Sequence, residues 1–163
     1  MEHLQPPGPT AAAERCPYEW LARVLTNFAV AEQALGKLCA GLDLPIASGP
    51  LSSLNEARRK LVAAGEKRFT LLDNRITRWS SYRAMRHLLA HATLVELIDG
   101  AGRPMLITRT LPRDRDDVTP DRLWTLDERE ELLRQATNDG RSIADQVRNI
   151  LADPSSVVRL RSL

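Results

Sequence analysis

The sequence is poor in the residues that build metal centres, disulfide frameworks and histidine-based catalytic sites. Cys16 and Cys39 are its only cysteines, and their wide spacing argues against a zinc site and against a disulfide framework. Two such thiols fit a reducing compartment. The only histidines are His3, near the amino terminus, and the pair His87 and His91. Any histidine-based site in the folded part of the chain has to use this pair, and we expect neither a metal ion nor another cofactor.

Aromatic side chains and long apolar runs are also scarce. Only 4% of the residues are aromatic, so the core must rest on leucine, alanine, valine and isoleucine, and the abundance of leucine, alanine, arginine and glutamate favours helices. No apolar run is long enough to cross a membrane, and residues 1–14 lack an apolar segment of signal-peptide length. We therefore expect a cytoplasmic helical protein with no membrane partner. Residues 1–14, rich in proline, glycine and alanine, predict a disordered leader.

The net charge of +2 conceals an uneven distribution of basic and acidic residues. Between positions 58 and 86 only Glu66 and Asp73 are acidic, whereas the chain beyond Asp114 carries many acids. The basic residues of this stretch are Arg58, Arg59, Lys60, Lys67, Arg68, Arg75, Arg78, Arg83 and Arg86. Such asymmetry indicates either a face for a polyanion or a solvated helix surface paired with acidic neighbours, and charge alone leaves both open.

Apolar residues that recur at intervals of three and four predict four helices. The first covers about residues 17–41, the second is a short helix within 53–65, and the third is a long helix over 66–91. The fourth begins at about residue 125 and carries an apolar stripe as far as Ile150. Residues 154–163 are expected to form a flexible tail.

Short local signals mark the starts of two helices and a weak point in one of them. Ser53 with Glu56, and Thr125 with Glu128, form the capping-box pattern, in which two side chains satisfy free backbone N–H groups reciprocally. Gly140 lies within the fourth helix, where a glycine lowers helix propensity. We therefore expect the fourth helix to bend or break at Gly140.

The pattern changes between the third and fourth helices. Residues 93–98 and 105–110 are β-prone, and the turn signal Asp99-Gly100-Ala101-Gly102 separates them, which predicts a β-hairpin. The alternative is a third helix that continues to Ile98. Residues 112–120 predict a charged loop. The fold class expected over residues 15–153 is mainly α, an antiparallel four-helix bundle with a small β-hairpin between the third and fourth helices.

The stretch Arg86-His87-Leu88-Leu89-Ala90-His91 places one guanidinium and two imidazoles near the end of the third helix. His87 and His91 share a helix face, and Arg86 is long enough to swing towards His91. A guanidinium matches phosphate oxygens, and an imidazole takes or gives a proton near neutral pH. RNA carries its own nucleophile, the ribose 2′-OH, so a base and a cation suffice in principle for cleavage without a metal.

This stretch resembles the motif of HEPN domains, which is an Arg, a polar residue, three further residues and a His. The sequence meets each defined position with Arg86, His87 and His91. The predicted bundle, the motif late in the third helix and the following hairpin are also similar to bacterial members of the family. The resemblance covers most of residues 17–153.

The resemblance implies a metal-independent endoribonuclease, often a toxin or a phage-defence effector. It implies a homodimer in which two motifs form one cleft, with an antitoxin or a nucleotidyltransferase as a further partner. Arg86 would stabilise the scissile phosphate, His91 would transfer a proton and His87 would orient the site. The product would carry a 2′,3′-cyclic phosphate. Tyr82 and Arg83, about one turn earlier, are candidate RNA-binding residues, because tyrosine can stack on bases.

Each motif residue also has an ordinary structural interpretation. Arg86 would be a cation that favours the helix dipole, His91 a capping imidazole and His87 a surface side chain. Two other functions therefore remain open. One is a catalytically inactive HEPN-like module for RNA binding or protein interaction, and the other is a helical scaffold in which the motif is accidental.

Overall fold

A computed structural model describes residues 16–45, 49, 51–110 and 121–163, and over these residues the chain is mainly helical with a small sheet. The described helices are α1 (Pro17–Gly41), α2 (Leu54–Ala64), α3 (Lys67–His91), α4 (Leu126–Leu151) and α5 (Pro154–Ser162). The strands are β1 (Ala92–Ile98), β2 (Pro104–Thr110) and β3 (Arg122–Trp124), which form one antiparallel sheet in the order β1-β2-β3. None of the described helices is long and apolar enough to cross a membrane.

The mainly helical class is confirmed, and both predicted strands of the hairpin are present. The alternative of a third helix continuing to Ile98 is wrong, because α3 ends at His91 and β1 follows at once. The structure also contains a third strand and a fifth helix, which the sequence did not predict. The predicted leader over 1–14 and the charged loop over 112–120 lie outside the described residues.

The chain divides into two compact units. The first, called here the sheet unit, contains the described parts of residues 1–25 and 85–135, including all three strands. The second, the helical unit, contains the described parts of residues 26–84 and 136–163. Helices α1, α3 and α4 contribute residues to both units.

Two tryptophans organise the interior of the sheet unit. Trp124 on β3 lies opposite Leu106 on β2, and both side chains are buried. The Trp20 ring packs on Trp124 with 5.5 Å between centroids, and its Nε1 donates to the carbonyl oxygen of Arg129 at 2.8 Å. The indole of Trp124 donates to Thr108 Oγ1 at 3.0 Å. Both indole N–H groups are thus satisfied, which removes the penalty of burying them.

The other face of the sheet is apolar as well, although it is partly open to solvent. Val95, Ile107 and Leu123 lie side by side across the three strands, and Leu97 lies opposite Met105. The exposed fractions of Leu97 and Leu123 are 41% and 47%. We call these five residues the apolar outer face. An antiparallel sheet with one solvated face usually carries polar residues there, so this face departs from the usual alternation.

In the helical unit, Gly140 allows α4 to approach α1 closely. A Cβ atom at Gly140 would lie 2.7 Å from the carbonyl oxygen of Asn27, and the Asn27 side chain donates to Thr137 at 3.0 Å. Helix α4 runs without interruption from Leu126 to Leu151. The predicted break at Gly140 is therefore wrong, and the glycine provides space for a neighbouring helix.

One of the two predicted capping boxes is confirmed. At the start of α4, the Thr125 amide donates to Glu128 Oε2 at 2.9 Å, and the Glu128 amide donates to Thr125 Oγ1 at 3.2 Å. At the start of α2, Ser53 makes no side-chain cap, and its hydroxyl donates to the carbonyl oxygen of Pro45. The predicted capping box at Ser53 is therefore wrong, although the helix does start there and Gly65 closes it in the left-handed conformation.

Residues 154–163 form α5 over most of their length, so the prediction of a flexible tail is wrong. Asp153 caps the helix by accepting a hydrogen bond from the Ser155 amide at 3.1 Å, and Pro154 occupies the first turn. Leu160 is fully buried. Arg159 donates to the carbonyl oxygen of Ala64 at 2.6 Å, which ties α5 to the end of α2.

Candidate functional site

The motif residues lie in the sheet unit, at the end of α3 where the chain enters β1. His87 and His91 are exposed, and their ring centroids are 4.6 Å apart with planes inclined by 59°. Arg86 is half-buried, and Leu89, on the same turn, is buried with 1% of its surface exposed. Leu89 anchors this turn in the core, and the structure brings the two imidazoles together on an open helix face.

The end of α3 is a favourable place for cationic side chains. His91 is the last residue of the helix, where unpaired backbone carbonyls carry partial negative charge. This position suits both the ordinary interpretation of His91 as a capping imidazole and its predicted role as a proton carrier.

Tyr82 and Arg83 belong to the helical unit, and both make contacts within it. The Tyr82 hydroxyl donates to Asp139 Oδ2 at 2.6 Å, and its ring meets the Phe28 ring edge-on at 5.6 Å between centroids. Arg83 Nε lies 3.7 Å from Glu32 Oε1, and the Arg83 guanidinium lies 5.7 Å from the centre of the Trp79 ring. These contacts give both side chains a structural role, and their contact with RNA stays a prediction.

The buried carboxylate of Asp139 gathers three donors from α3, an arrangement that sequence reasoning missed. Only 1% of Asp139 is exposed, and it accepts from Arg75 at 3.0 Å, from Arg78 Nε at 3.1 Å and from Tyr82. We call these four residues the Asp139 cluster. Burial alone would raise the pKa of Asp139, but the hydrogen bonds from Arg78, Tyr82 and Arg75 outweigh it and hold the pKa below its ordinary value.

The hydrogen bond between Tyr82 and Asp139 changes the pKa of the tyrosine in the opposite direction. Burial, followed by the hydrogen bond to Asp139, raises the pKa of Tyr82 far above its ordinary value. Tyr82 therefore stays neutral over the whole physiological pH range. It can donate a hydrogen bond but cannot serve as a base.

Arg129 is a second buried polar residue that the sequence analysis missed. It is 2% exposed in the sheet unit, its guanidinium lies 5.2 Å from the centre of the Trp20 ring, and burial lowers its pKa. The sequence could have indicated this burial, because Arg129 stands between Leu126 and Leu133 at the spacing of one apolar helix stripe.

Most of the basic stretch between positions 58 and 86 is paired with acidic side chains. The ion pairs are Arg58 with Asp73, Arg59 with Glu56, Arg68 with Glu66 and Asp153, Arg75 and Arg78 with Asp139, and Arg83 with Glu32. Of the two interpretations of the charge asymmetry, the solvated helix surface with acidic neighbours fits these arginines.

Within the part of the chain that the structure describes, no group of three or more His, Cys, Asp or Glu side chains could hold a metal ion. What the site offers is a mainly helical scaffold that presents two exposed imidazoles, next in sequence to an arginine, at a helix end. No protein-family model matches this sequence, and comparison with curated proteins and with solved structures gives no significant match. The HEPN resemblance therefore rests on the motif and on its position late in α3.

Proposed function

We propose that the protein is a metal-independent endoribonuclease of HEPN type that uses Arg86 and His91. The observation that carries the proposal is the exposed pair of imidazoles at the end of α3, 4.6 Å apart and adjacent in sequence to Arg86. A base and a permanent cation suffice in principle for phosphodiester cleavage by a ribose 2′-OH, and the second imidazole can orient the site.

In the proposed reaction, His91 removes the proton from the 2′-OH, and the 2′ oxygen attacks the neighbouring phosphorus. A bond forms between phosphorus and the 2′ oxygen, and the bond to the 5′ oxygen of the next nucleotide breaks as that oxygen takes up a proton from water; His91 afterwards returns its proton to solvent. Arg86 stabilises the additional negative charge on the phosphate oxygens, and His87 orients the site. The products are a 2′,3′-cyclic phosphate and a 5′-hydroxyl.

The proposal includes a homodimer with the antiparallel four-helix arrangement of HEPN domains. Two copies would bring two motifs to one cleft, and the second copy would supply a further arginine and two further imidazoles. A toxin or phage-defence role, held in check by an antitoxin or a nucleotidyltransferase, is the biological setting that the resemblance favours.

Cleavage of varied RNAs in the presence of EDTA tests the proposal. Wild-type protein is expected to release fragments that end in a 2′,3′-cyclic phosphate, and an Arg86→Ala, His91→Ala double variant is expected to release none above background. Arg134→Ala is the matched control, because it removes an arginine that is 64% exposed on α4 of the same unit. If the double variant cleaves as fast as wild type, the enzyme proposal fails.

A second candidate is a catalytically inactive HEPN-like module for protein interaction. The apolar outer face favours it, because a contiguous apolar surface of this kind typically marks an interaction site. This candidate predicts no motif-dependent cleavage. It also predicts self-association or partner binding that survives Arg86→Ala but is lost when Leu97 and Leu123 are both replaced by Asp, as measured by light scattering.

A further inference from the structure

His87 and His91 occupy positions i and i+4 of one helix, and both rings are exposed on the same face. Two imidazoles at this spacing are a known arrangement for binding one transition-metal ion, as in helices whose two histidines hold zinc. Because the helix fixes both backbones, the two ligands are already close together and lose little freedom on binding.

The distance between the rings fits such a pair. A metal ion about 2.1 Å from each ligating nitrogen lies about 3.2 Å from each ring centre, so two neighbouring ligands at right angles or slightly wider place the centres about 4.5–5.2 Å apart. The observed centroid separation is 4.6 Å. The separation of the two ring centres therefore matches that of two imidazoles bound to one ion.

The ligand chemistry selects the kind of metal. Imidazole nitrogen suits Zn²⁺, Ni²⁺ and Cu²⁺, whereas Mg²⁺ and Ca²⁺ prefer oxygen ligands. Among the described residues no third His, Cys, Asp or Glu joins the pair to form a larger metal-ligand group. Water or a phosphate oxygen would fill the remaining coordination positions, and the affinity is expected to be in the micromolar range.

We propose that His87 and His91 form a binding site for a divalent transition-metal ion, and that an ion bound there inhibits RNA cleavage. Inhibition follows because the metal occupies the imidazole lone pair of His91 that would otherwise accept the 2′-OH proton. The inhibition rests on the proposed function, whereas the binding rests on the geometry of the two rings alone.

Titration of tag-free protein with Ni²⁺, in competition with a chromogenic chelator, tests the binding. All proteins compared, the reference protein included, carry Cys16→Ser and His3→Ala, because the exposed Cys16 thiol and the third histidine are competing ligands. One ion per chain is expected, and His87→Ala or His91→Ala should each weaken binding by roughly tenfold or more.

The H87A/A90H variant is the matched control, since it keeps the number of histidines but moves the second ring to a position beside His91. Residues adjacent in sequence point to different sides of a helix, so this variant is expected to bind as weakly as His87→Ala. If wild type binds Ni²⁺ no more tightly than H87A/A90H, the proposed metal site is wrong.

The cleavage assay then tests the regulation separately. Zn²⁺ or Ni²⁺ at ten times the measured dissociation constant should reduce the rate by about tenfold, EDTA should restore it, and Mg²⁺ at the same concentration should have no effect. Binding without inhibition would overturn the regulatory role and leave the metal site in place. Absence of RNA cleavage under all conditions would overturn the enzyme proposal, while the Ni²⁺ titration still decides the site.

Discussion

The Asp139 carboxylate is buried and forms ion pairs with two guanidinium groups, those of Arg75 and Arg78. Asp139→Asn would leave both arginines with a neutral partner. We expect this substitution to lower the free energy of unfolding by about 2–3 kcal/mol, which is less than for a fully buried ion pair because Arg78 is partly open to solvent. Urea unfolding at pH 7 measures the difference.

The matched control for that substitution is Asp145→Asn on the same helix. Asp145 pairs with Arg148 at 3.0 Å, but the two side chains are 62% and 72% exposed. Exposed pairs contribute little, so we expect a change below about 0.5 kcal/mol. Equal losses in the two variants would show that Asp139 is not an anchor of the helical unit.

The Asp139 cluster also predicts how stability depends on pH. The folded-state pKa of Asp139 lies below its unfolded value, so its contribution is fully present above about pH 4 and is lost as the pH falls through the folded pKa. The stability gap between wild type and Asp139→Asn should therefore be constant from pH 5 to 7 and shrink towards pH 3. A gap that grows on acidification would contradict the assigned direction of the shift.

The motif could be predicted from the sequence, whereas the Asp139 cluster could not. Arg86, His87 and His91 lie within six residues, and helix periodicity alone places the two histidines on one face. The donors to Asp139 lie 57 to 64 positions away along the chain, so no local pattern connects them. The Asp-Gly pair at 139–140 instead resembles a turn signal.

The helix α4 contains a position where helix propensity and packing oppose each other. Gly140→Ala would normally stabilise a helix interior by about 1 kcal/mol. Here the added Cβ would lie 2.7 Å from the Asn27 carbonyl oxygen, a backbone atom that cannot easily move. We expect the clash to prevail and to lower the free energy of unfolding by about 1–2 kcal/mol, measured by urea or thermal unfolding.

Gly100→Ala is the control for that variant. A Cβ at Gly100 would meet no atom within 4 Å, so we expect a change of less than about 0.5 kcal/mol. If Gly140→Ala instead raises the melting temperature, the close approach of α4 to α1 is not as tight as described.

Two substitutions on α5, Leu160→Ala and Val158→Ala, test how this helix packs. Leu160 is fully buried, so Leu160→Ala should lower the free energy of unfolding by about 2–4 kcal/mol. Val158, 68% exposed on the same helix, should tolerate alanine with a change below about 0.5 kcal/mol. If denaturant unfolding shows no difference in stability between the two variants, α5 does not pack on the rest of the chain.

Several elements could be predicted only in part, for physical reasons. Asp153-Pro154 reads equally well as the end of one helix or as the cap and first turn of another, and only the burial of Leu160 decides between them. Ser53 has the right residue type for a cap, but its hydroxyl is directed towards the carbonyl oxygen of Pro45 and accepts no cap hydrogen bond. Strand β3 spans three residues, too few for a periodic signal.

Across the full chain, composition and periodicity were sufficient for the helical class and for the change to strands after His91. They did not predict which acidic residues pair with the arginines. The arginines between positions 58 and 86 resemble a polyanion-binding face in the sequence, but three of them pair with Asp139 or Asp153, which lie far along the chain. Most arginines of this stretch are therefore accounted for by ion pairs within the fold.

The initial rate of cleavage of a labelled RNA in EDTA, with wild type, His91→Ala and Arg134→Ala compared at equal concentration, tests the proposed function most directly. Removing a proton-transfer group is expected to reduce the rate by about 100-fold or more, whereas loss of the exposed Arg134 should leave it unchanged. Loss of activity in His91→Ala alone would support the exposed imidazole pair as the catalytic site. Equal rates for wild type and His91→Ala, or no cleavage by wild type, would contradict it.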